Sequence, residues 1–511
     1  MTFHLLDATI FLPLAGAFVV ALLPSSRVSL ARYTALAVSL AAFVLSIVVL
    51  GQFDVSESGF QLGSSAGWIP EWGIRYETGV DGISLWLVVL TTFLSPLAIF
   101  SSWNIAERAK PYFAFLLALE TAMLGAFCAL DLFLFYLFWE ASLVPMYFLI
   151  GMWGGERRLY ATVKFFLYTL VGSLLMLAAI LYLYFQAPVP TFDYRDLLGT
   201  PLGLGAQVLA FLAFFSAFAI KIPVVPLHTW SPDAYAEAPT PVAVVLSGVM
   251  LKMGAYGLIR YCIPLFPDGA EAAAPYVITL GIAGILYGSL VAVMQKSFKR
   301  LIAYASIANL GFVVVGIFVG SHQGMSGSVL QMVNHGLEIG ALFLLIGMMA
   351  DRRGSDLIDD FGGAAKPAPT MAGIFLIVVL AGVGLPATNG FIGEFLILLG
   401  AFLEIRWWSV PAVFGVVLGV VFFLWAYQRM FHGPRLVTDR VAFPDLRPRE
   451  LALLAPIVVM IFWIGVFPQP FLDRINPAAE RVVQQMNRSV LPGAQGPAAS
   501  GGSPDHVAEA P

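Results

Sequence analysis

The sequence predicts an all-α polytopic membrane protein with about 14 transmembrane helices, arranged as two inverted five-helix repeats that each contain a broken helix. Of the 511 residues, 59% are hydrophobic and only 11% are charged, whereas a soluble domain carries roughly a quarter charged residues. Apolar runs of about twenty residues, long enough to cross the hydrocarbon of a bilayer, recur along the chain. A soluble protein cannot bury so many runs in one core, so the solvent of this chain is a membrane.

The predicted spans are these apolar runs, taken in chain order. Their approximate bounds are 5–23, 30–50, 80–100, 111–130, 132–153, 162–185, 204–225, 240–263, 275–294, 300–319, 327–350, 369–404, 410–431 and 451–468. The first run has no Lys or Arg before it and no obvious A-x-A cleavage site after it. We therefore interpret it as a retained helix and not as a cleaved signal.

Interruptions in two of the runs suggest how the chain is divided. The seventh and twelfth spans both contain Pro, and paired broken helices in a transporter point to repeats with an ion path between them. We expect three helices in 1–110, a first five-helix repeat in 111–263 and a second in 275–431. The last transmembrane helix and its flanks occupy 432–482, and 483–511 is predicted to be a disordered tail rich in Pro, Gly, Ala and Ser.

The distribution of basic residues predicts the orientation in the membrane. Alternate loops, starting after the first span, collect 18 of the 27 Lys and Arg residues, and the opposite side collects 7. Cytoplasmic loops carry the excess of basic residues, so both termini are predicted to be periplasmic, in a bacterial inner membrane. The remaining two, Lys221 and Lys252, fall inside predicted spans.

Seven ionisable side chains within the spans are the candidate functional residues. They are Glu120, Glu140, Lys221, Lys252, His335, Glu338 and Glu394. Each charge at mid-membrane costs about 2.5–3.5 kcal/mol on insertion scales, and sets of Glu, Lys and His in membranes are typical of proton relays. Narrower explanations exist for single members: Glu140 in a buried ion pair that holds two helices, His335 as a satisfied core histidine, and Glu120 equally in packing or in the path.

Lys221 lies where the seventh span must break. Pro223 and Pro226 follow it, and neither has a backbone N–H to continue the helix. A carboxylate beside a lysine favours the protonated amine, so a Glu–Lys pair whose separation changes takes up and releases a proton. His228, which ends this broken span, lines the mouth of the path or caps a loop.

The remaining candidates lie in the eighth, eleventh and twelfth predicted spans. Lys252 lies too deep in its span for its side chain to reach the membrane surface comfortably. His335 and Glu338 are three residues apart and share a helix face, and imidazole both gives and takes a proton near neutral pH. Glu394 follows the second interruption, which contains Gly384 and Pro386.

Familiar cofactor motifs are missing from the sequence. It has no G-x-G-x-x-G after a strand, no P-loop, no nucleophile elbow and no metal-ligand spacing. Cys128 and Cys262 lie in separate apolar runs, without a C-x-x-C motif, and are interpreted as small buried residues. We expect no cofactor and no metal in this chain, and no nucleic-acid partner.

Four segments resemble one family over about residues 80 to 470. They are FWEASLVPMYFLIGMWGG, KIPVVPLHTWSPDAYAEAPTPVAVVLSGVMLKMGAYGLIR, KRLIAYASIANLGFVVVGI and GLPATNGFIGEF, and they are similar to the antiporter-like subunits of respiratory complex I, the NADH:quinone oxidoreductase. The resemblance implies that Glu140 and Lys221 form the Glu–Lys pair of a half-channel. It also implies that Lys252 and His335 carry protons along the membrane plane, and that Glu394 stands at the exit.

The Glu at position 394 makes this chain resemble the M type of these subunits. The L, N and Mrp-antiporter types more often have Lys at that position. Two residues depart from the family pattern, because Asn309 and Tyr235 stand where histidines are expected. The resemblance implies a proton-translocating, non-redox subunit with L-type and N-type neighbours, in contact with lipid, protons and water. NADH, flavin, iron–sulfur clusters and quinone are then expected in partner subunits. The alternatives are a subunit of an Mrp-type cation/proton antiporter and a purely structural spacer.

Overall fold

A computed structural model describes residues 5–24, 26–433 and 443–487 of the chain. The helices of the first half are α1 (Leu5–Leu22), α2 (Val28–Gln52), α3 (Ser84–Ser101), α4 (Ala109–Cys128), α5 (Leu132–Ala141), α6 (Leu143–Trp153), α7 (Arg158–Gln186), α8 (Tyr194–Leu197), α9 (Leu204–Lys221), α10 (Trp230–Glu237), α11 (Thr240–Val245), α12 (Leu251–Gly257) and α13 (Ile263–Leu265). Those of the second half are α14 (Pro267–Val293), α15 (Phe298–Phe318), α16 (His322–Arg353), α17 (Pro369–Gly382), α18 (Asn389–Ile405), α19 (Val410–Phe431), α20 (Pro448–Val466) and α21 (Gln469–Asn487).

The predicted class, an all-α polytopic membrane protein, is confirmed. By length and composition, 13 helical segments of the described chain are able to cross a membrane, and one of them, Asn389–Phe431, contains both α18 and α19. The shorter apolar helix α17 precedes α18, and the two together form the predicted twelfth span. The predicted division into two inverted repeats stays a prediction.

Both predicted breaks are present as interrupted helices. Helix α9 ends at Lys221 before the two prolines, and the indole Nε1 of Trp230 donates to the carbonyl of Ile220 at 2.8 Å. This bond satisfies one of the carbonyls that the end of a helix leaves without a partner. Helices α17 and α18 are separated by residues 383–388, where Gly384 has φ of +69°. A φ in this left-handed region favours glycine.

Two spans lie at the centre of the bundle and are buried along their apolar length. The eighth span runs from Thr240 to Leu265, and α16 is the other. Glycines bring their backbones together, because a Cβ built on Gly336 would lie only 2.8 Å from the carbonyl oxygen of Gly248. Small residues allow this approach of helices in a membrane.

Lys252 occupies an unusual stretch of the eighth span. The short helix α12 that carries it lies between two π-helical turns, Leu246–Met250 and Leu258–Cys262. A π turn adds a residue to a helix and is frequent at functional sites. The two turns change the direction of the helix faces on either side of Lys252, which is itself fully buried.

A small hairpin and an amphipathic helix were not predicted. Strands β1 (Ser65–Ile69) and β2 (Ile74–Glu77) pair antiparallel between α2 and α3. Helix α21 extends to Asn487, into the range predicted as a disordered tail, while 488–511 lie outside the described residues. Its buried residues recur with helical spacing, without forming the long apolar run by which the spans were found. They are Phe471, Ile475, Ala478, Ala479, Val482 and Val483.

Asp131 joins the hairpin to the start of α5. One carboxylate oxygen accepts from the backbone N–H groups of Phe133 and Leu134, at 2.9 and 3.0 Å, and the other accepts from that of Arg75 at 3.1 Å. Burial raises the pKa of Asp131 to about 6, although these three backbone donors oppose the shift. Asp131 is thus the N-cap of α5 and an anchor for β2.

We expect Asp131→Ala to lower the free energy of unfolding by about 1–2 kcal/mol, because it removes an N-cap acceptor. Asp131→Asn is the matched control, since its amide oxygen still accepts at the cap. Thermal unfolding of the full chain in detergent measures the difference. Equal melting temperatures for the Ala and Asn variants would contradict the capping role.

The pH dependence of the same variants tests the raised pKa. The folded carboxyl keeps its proton up to pH of about 6, whereas the unfolded one ionises near 3.8. Ionisation therefore favours the unfolded chain, and the stability contributed by Asp131 falls as pH rises from about 4 to about 6. We expect the melting temperature of the wild type to fall relative to Asp131→Asn over this interval and the difference to become constant above it. A relative rise would show that the shift has the opposite sign.

Candidate functional site

Four polar side chains form a stripe along α16 in the centre of the bundle. They are Gln331, Asn334, His335 and Glu338, and all are buried. Their spacing of three, four and seven residues places them on a single face of the helix. His335 and Glu338 were predicted as site residues, whereas Gln331 and Asn334 were missed. The same spacing in the sequence was the signal that would have found them.

Lys252 and His335 are in direct contact across the two central spans. The Nζ atom of Lys252 lies 2.7 Å from His335 Nδ1, and it also donates to the carbonyl oxygen of Ser247 at 2.6 Å. Neither Lys252 nor His335 has any exposed surface. Lys252 therefore does not extend to the membrane surface. When Lys252 is an ammonium it donates to a ring nitrogen that carries no proton, and neutral His335 then has its proton on Nε2.

Glu338 lies between this pair and the break that precedes α18. A Cβ built on Gly390, in the first turn of α18, would lie 2.9 Å from Glu338 Oε1. Both carboxylate oxygens are buried and make no hydrogen bond of ordinary geometry within the described chain, although the side chain of Asn389 lies near them. The amide of Asn334 donates to the backbone carbonyl of Asn389 at 2.8 Å, which fixes the start of α18 against α16.

Glu394 packs against the interruption itself. Its Oε2 would lie 2.7 Å from a Cβ built on Gly384, so a side chain at Gly384 would displace the carboxylate. Its Oε1 is 3.5 Å from the amide nitrogen of Gln331. Glu394 is thus connected to the α16 stripe through Gln331, and to the backbone of the break through Gly384.

At the other broken helix, Lys221 lies among residues that flank Glu140. Its Nζ is 3.4 Å from Ser142 Oγ and 4.8 Å from the centre of the Trp139 ring. Glu140 is partly buried, and no ion pair within 4.0 Å joins it to Lys221 in the described structure. The helix is interrupted beside it, at Ser142, because Pro145 cannot donate to the carbonyl of residue 141.

A direct backbone contact joins the two lysine-bearing segments. A Cβ built on Gly254, two residues after Lys252, would lie 2.7 Å from the carbonyl oxygen of Phe218 and 3.1 Å from Lys221 Cβ. The end of α9 therefore packs against α12, with only a glycine between the two backbones. The two lysine-bearing segments are thus in direct contact.

The three remaining predicted residues lie apart from this chain of contacts. Glu120 is buried on α4, and both of its oxygens accept from Ser39 Oγ, at 3.1 and 2.9 Å. The His228 ring packs edge-on against Tyr287, with centroids 5.0 Å apart. Asn309 is buried on α15, and its amide nitrogen has no hydrogen-bond partner in the described residues.

Several buried polar atoms in this region make no hydrogen bond of ordinary length and angle within the described ranges. They are Glu140 Oε1, His228 Nδ1, Tyr235 Oη, Ser306 Oγ, Asn309 Nδ2, His335 Nε2 and both oxygens of Glu338. Buried polar groups are nearly always satisfied by protein or by ordered water. We therefore expect this layer of the bundle to be hydrated. Among the residues described, no group of three or more His, Cys, Asp or Glu is arranged to hold a metal ion.

Comparisons with known proteins agree with this architecture. Residues 129–419 match the family described as NADH:quinone oxidoreductase/Mrp antiporter, transmembrane. The chain is 44% identical over 497 residues to NADH-quinone oxidoreductase subunit M of Rhodobacter capsulatus, covering 94% of this chain and 96% of the relative. It is 41% identical over 481 residues to NADH-ubiquinone oxidoreductase chain 4 of Arabidopsis thaliana, covering 94% and 97%.

A solved structure is similar over the same length. A chain of respiratory complex I from Thermus thermophilus with bound NADH superposes with a TM-score of 0.86 at 33% identity, covering 94% of this chain and 99% of that chain. The predicted resemblance is confirmed, including the M type that Glu394 suggested, because the Rhodobacter relative is a subunit M.

We expect Gly390→Ala to be strongly destabilising. Its Cβ would lie 2.2 Å from the carbonyl oxygen of Ala381 as well as against Glu338, and overpacking of this kind costs about 1–3 kcal/mol. Gly373→Ala in α17 is the matched control, because its Cβ would meet nothing within 4 Å. Thermal unfolding of the full chain in detergent compares the two. A Gly390→Ala variant as stable as the control would mean that the break is loosely packed.

Proposed function

This chain belongs to the NADH:quinone oxidoreductase/Mrp antiporter transmembrane family, and from this premise we propose that it is a proton-translocating membrane-arm subunit of an NADH:quinone oxidoreductase. The observation that carries the proposal is the contact of 2.7 Å between Lys252 and His335, buried between two broken helices. Two basic groups in contact share at most one stable proton in a medium of low dielectric. Such a pair passes a proton and does not merely hold helices together.

The proposed central step uses both nitrogens of His335. The ammonium of Lys252 transfers its proton to Nδ1, which gives a neutral amine and an imidazolium. The imidazolium then releases the second proton, from Nε2, which has no protein partner in the described part of the chain. The hydrated layer and Glu338, one helical turn away on α16, receive it. Imidazole suits this step because it gives and takes protons near neutral pH.

Glu140 and Lys221 act as the switch at the first broken helix. Their side chains are separated by more than the distance of an ion pair, and Lys221 contacts Ser142 instead. When the two approach, the carboxylate favours the protonated lysine; when they separate, the lysine releases its proton. The contact between Gly254 and the end of α9 supports coupling of this switch to Lys252.

Glu394 acts at the far end of the path, beside the second broken helix. It lies against Gly384 and within reach of Gln331, so the chain of ionisable groups runs from α5 and α9 through the central spans to α18. The two broken helices occupy corresponding positions in the proposed five-helix repeats, 111–263 and 275–431. Glu120, His228 and Asn309 are assigned auxiliary positions, with water bridging at Asn309.

The energy for pumping comes from partner subunits in this proposal. This chain is a non-redox subunit, and we assign NADH, flavin, iron–sulfur clusters and quinone to other subunits. Quinone reduction there changes the electrostatic field along the buried charges. L-type and N-type subunits are the proposed neighbours in a bacterial inner membrane, with both termini periplasmic, as the 18-to-7 distribution of basic residues supports.

We expect Glu140→Gln to lower both NADH-dependent quinone reduction and the accompanying proton gradient roughly tenfold or more, because it removes the switching charge. Both are measured in native membranes, after a native gel has shown that the complex assembles. Glu404→Gln is the matched control, since Glu404 is exposed. If both signals are unchanged while sodium or alkali tolerance collapses, the chain is instead part of a cation/proton antiporter.

We expect Lys252→Arg to abolish pumping although it keeps the positive charge. A guanidinium does not release its proton in proteins, so it cannot serve the transfer to His335. Lys366→Arg, at an exposed position, is the control. Full proton pumping by an assembled complex with Lys252→Arg would mean that Lys252 contributes only a fixed charge.

A further inference from the structure

A cavity of about 310 Å³ lies away from the proposed proton path. It is lined by the segment before α3, the helix α8, the end of the eighth span and one face of α21. Its polar wall contains Asp81 and three arginines, Arg195, Arg260 and Arg481. None of these residues belongs to the chain of groups from Glu140 to Glu394.

Two of the three arginines are held by carboxylates. Arg260 is buried and donates to Asp81 at 2.5 Å. Arg195 donates to Glu77 at 2.6 Å and to Asp193 at 2.8 Å. Burial raises the pKa of Asp81, but the Arg260 guanidinium, the backbone N–H of Ser84 and the more distant charge of Arg481 together hold it below its ordinary value, so Asp81 is ionised. These acids are thus engaged by the arginines beside them.

Arg481 makes no ion pair within 4.0 Å among the described residues, and the Asp81 carboxylate acts on it only over a longer distance. Arg481 lies on the face of α21 that also presents Ala478, Val482 and Gln485 to the cavity. Its Nη2 is buried and makes no hydrogen bond within the described residues, and its guanidinium lies 5.8 Å from the centre of the Phe60 ring. A buried charged donor without a partner costs more than an ordinary unmade hydrogen bond. The guanidinium of Arg481 therefore adds a positive charge to the wall, and its Nη2 donates to no acceptor in the described residues.

We propose that this cavity binds a phosphate-type oxyanion, with Arg481 as the principal ligand and the edges of Arg195 and Arg260 beside it. The planar guanidinium is suited to two parallel hydrogen bonds to a phosphate. The volume is about ten times the share of one water molecule in the liquid, which is room for a phosphate group and its immediate substituents. Either free inorganic phosphate or the phosphodiester of an anionic phospholipid supplies this group.

An anion in this position connects segments that are distant in sequence. It would join α21 to the end of the eighth span, eight residues after Lys252 in the chain, and to the helix α8. The proposal is independent of the proton path, because none of its ligands takes part in proton transfer.

The first test uses the purified full chain in detergent with inorganic phosphate, against chloride at equal ionic strength. We expect phosphate to raise the melting temperature of the wild type and, at the same concentration, to raise that of Arg481→Gln much less. Arg474→Gln is the matched control, because Arg474 lies on the same helix but outside the cavity wall and donates to the carbonyl of Pro470. Loss of one charged ligand is expected to weaken binding about tenfold, equal to about 1.4 kcal/mol.

The second test separates the two sources of the group. The full chain is placed in nanodiscs of phosphatidylcholine with or without phosphatidylglycerol, and retained lipids are counted by native mass spectrometry. If only phosphatidylglycerol stabilises the wild type, and Arg481→Gln retains one fewer such lipid, the group is a lipid headgroup. If inorganic phosphate suffices, it is free phosphate.

A third variant keeps the proposal testable if Arg481→Gln does not fold. Arg481→Lys keeps the positive charge but loses the planar guanidinium that makes two parallel hydrogen bonds, so we expect weakened but measurable binding. The proposal is overturned if neither phosphate nor phosphatidylglycerol stabilises the wild type, or if Arg474→Gln loses binding as much as the Arg481 variants do.

Discussion

Exclusion of buried charge from lipid is the constraint on which the rest of this structure depends. Lys252, His335 and Glu338 are tolerable in a membrane only because the two spans that carry them are surrounded by protein along their apolar length. The eighth span and α16 are therefore central, and helices such as α2 and α7 face outward with their apolar residues. The close contact at Gly248 and Gly336 follows from the same requirement, since it brings the Lys252 amine to the His335 ring.

The broken helices impose a second constraint. Each break places an ionisable side chain beside the proposed path, and it also frees backbone groups that must find hydrogen-bond partners. Irregular backbone at membrane depth is stable only where protein or water satisfies it. Trp230 provides a donor to the carbonyl of Ile220, and Asn334 provides one to the carbonyl of Asn389. Glycines at 384 and 390 leave room for the carboxylates of Glu394 and Glu338. In both breaks, the residues that stabilise the interruption also position an acid or a lysine.

The spans, the first break and the candidate residues could be predicted from the sequence, because hydrocarbon favours long apolar helices and makes charges and helix breaks conspicuous. Long apolar runs predicted the spans, prolines after Lys221 predicted the first break, and charges inside apolar runs predicted the candidate residues. The motifs around Glu140, Lys221 and Glu394 predicted the family, which the relatives confirm. Helix α21 was missed because its apolar residues recur with helical spacing and do not form a run of twenty. Gln331 and Asn334 were missed because uncharged amides do not stand out in a search for charges.

The sequence by itself thus determined the class, the spans and the ionisable residues, because each depends on the local cost of placing a side chain in hydrocarbon. It also determined the family, through the motifs that surround those residues. Only the tertiary structure decided which of these residues meet. It joined Lys252 to His335 and Glu394 to Gln331, left Glu140 and Lys221 apart, and gave Glu120 a serine as its partner. It also placed Arg481 in the wall of a cavity whose lining residues do not belong to the path. Such pairings depend on helix rotation and close packing between distant segments, and spacing along the chain does not encode them.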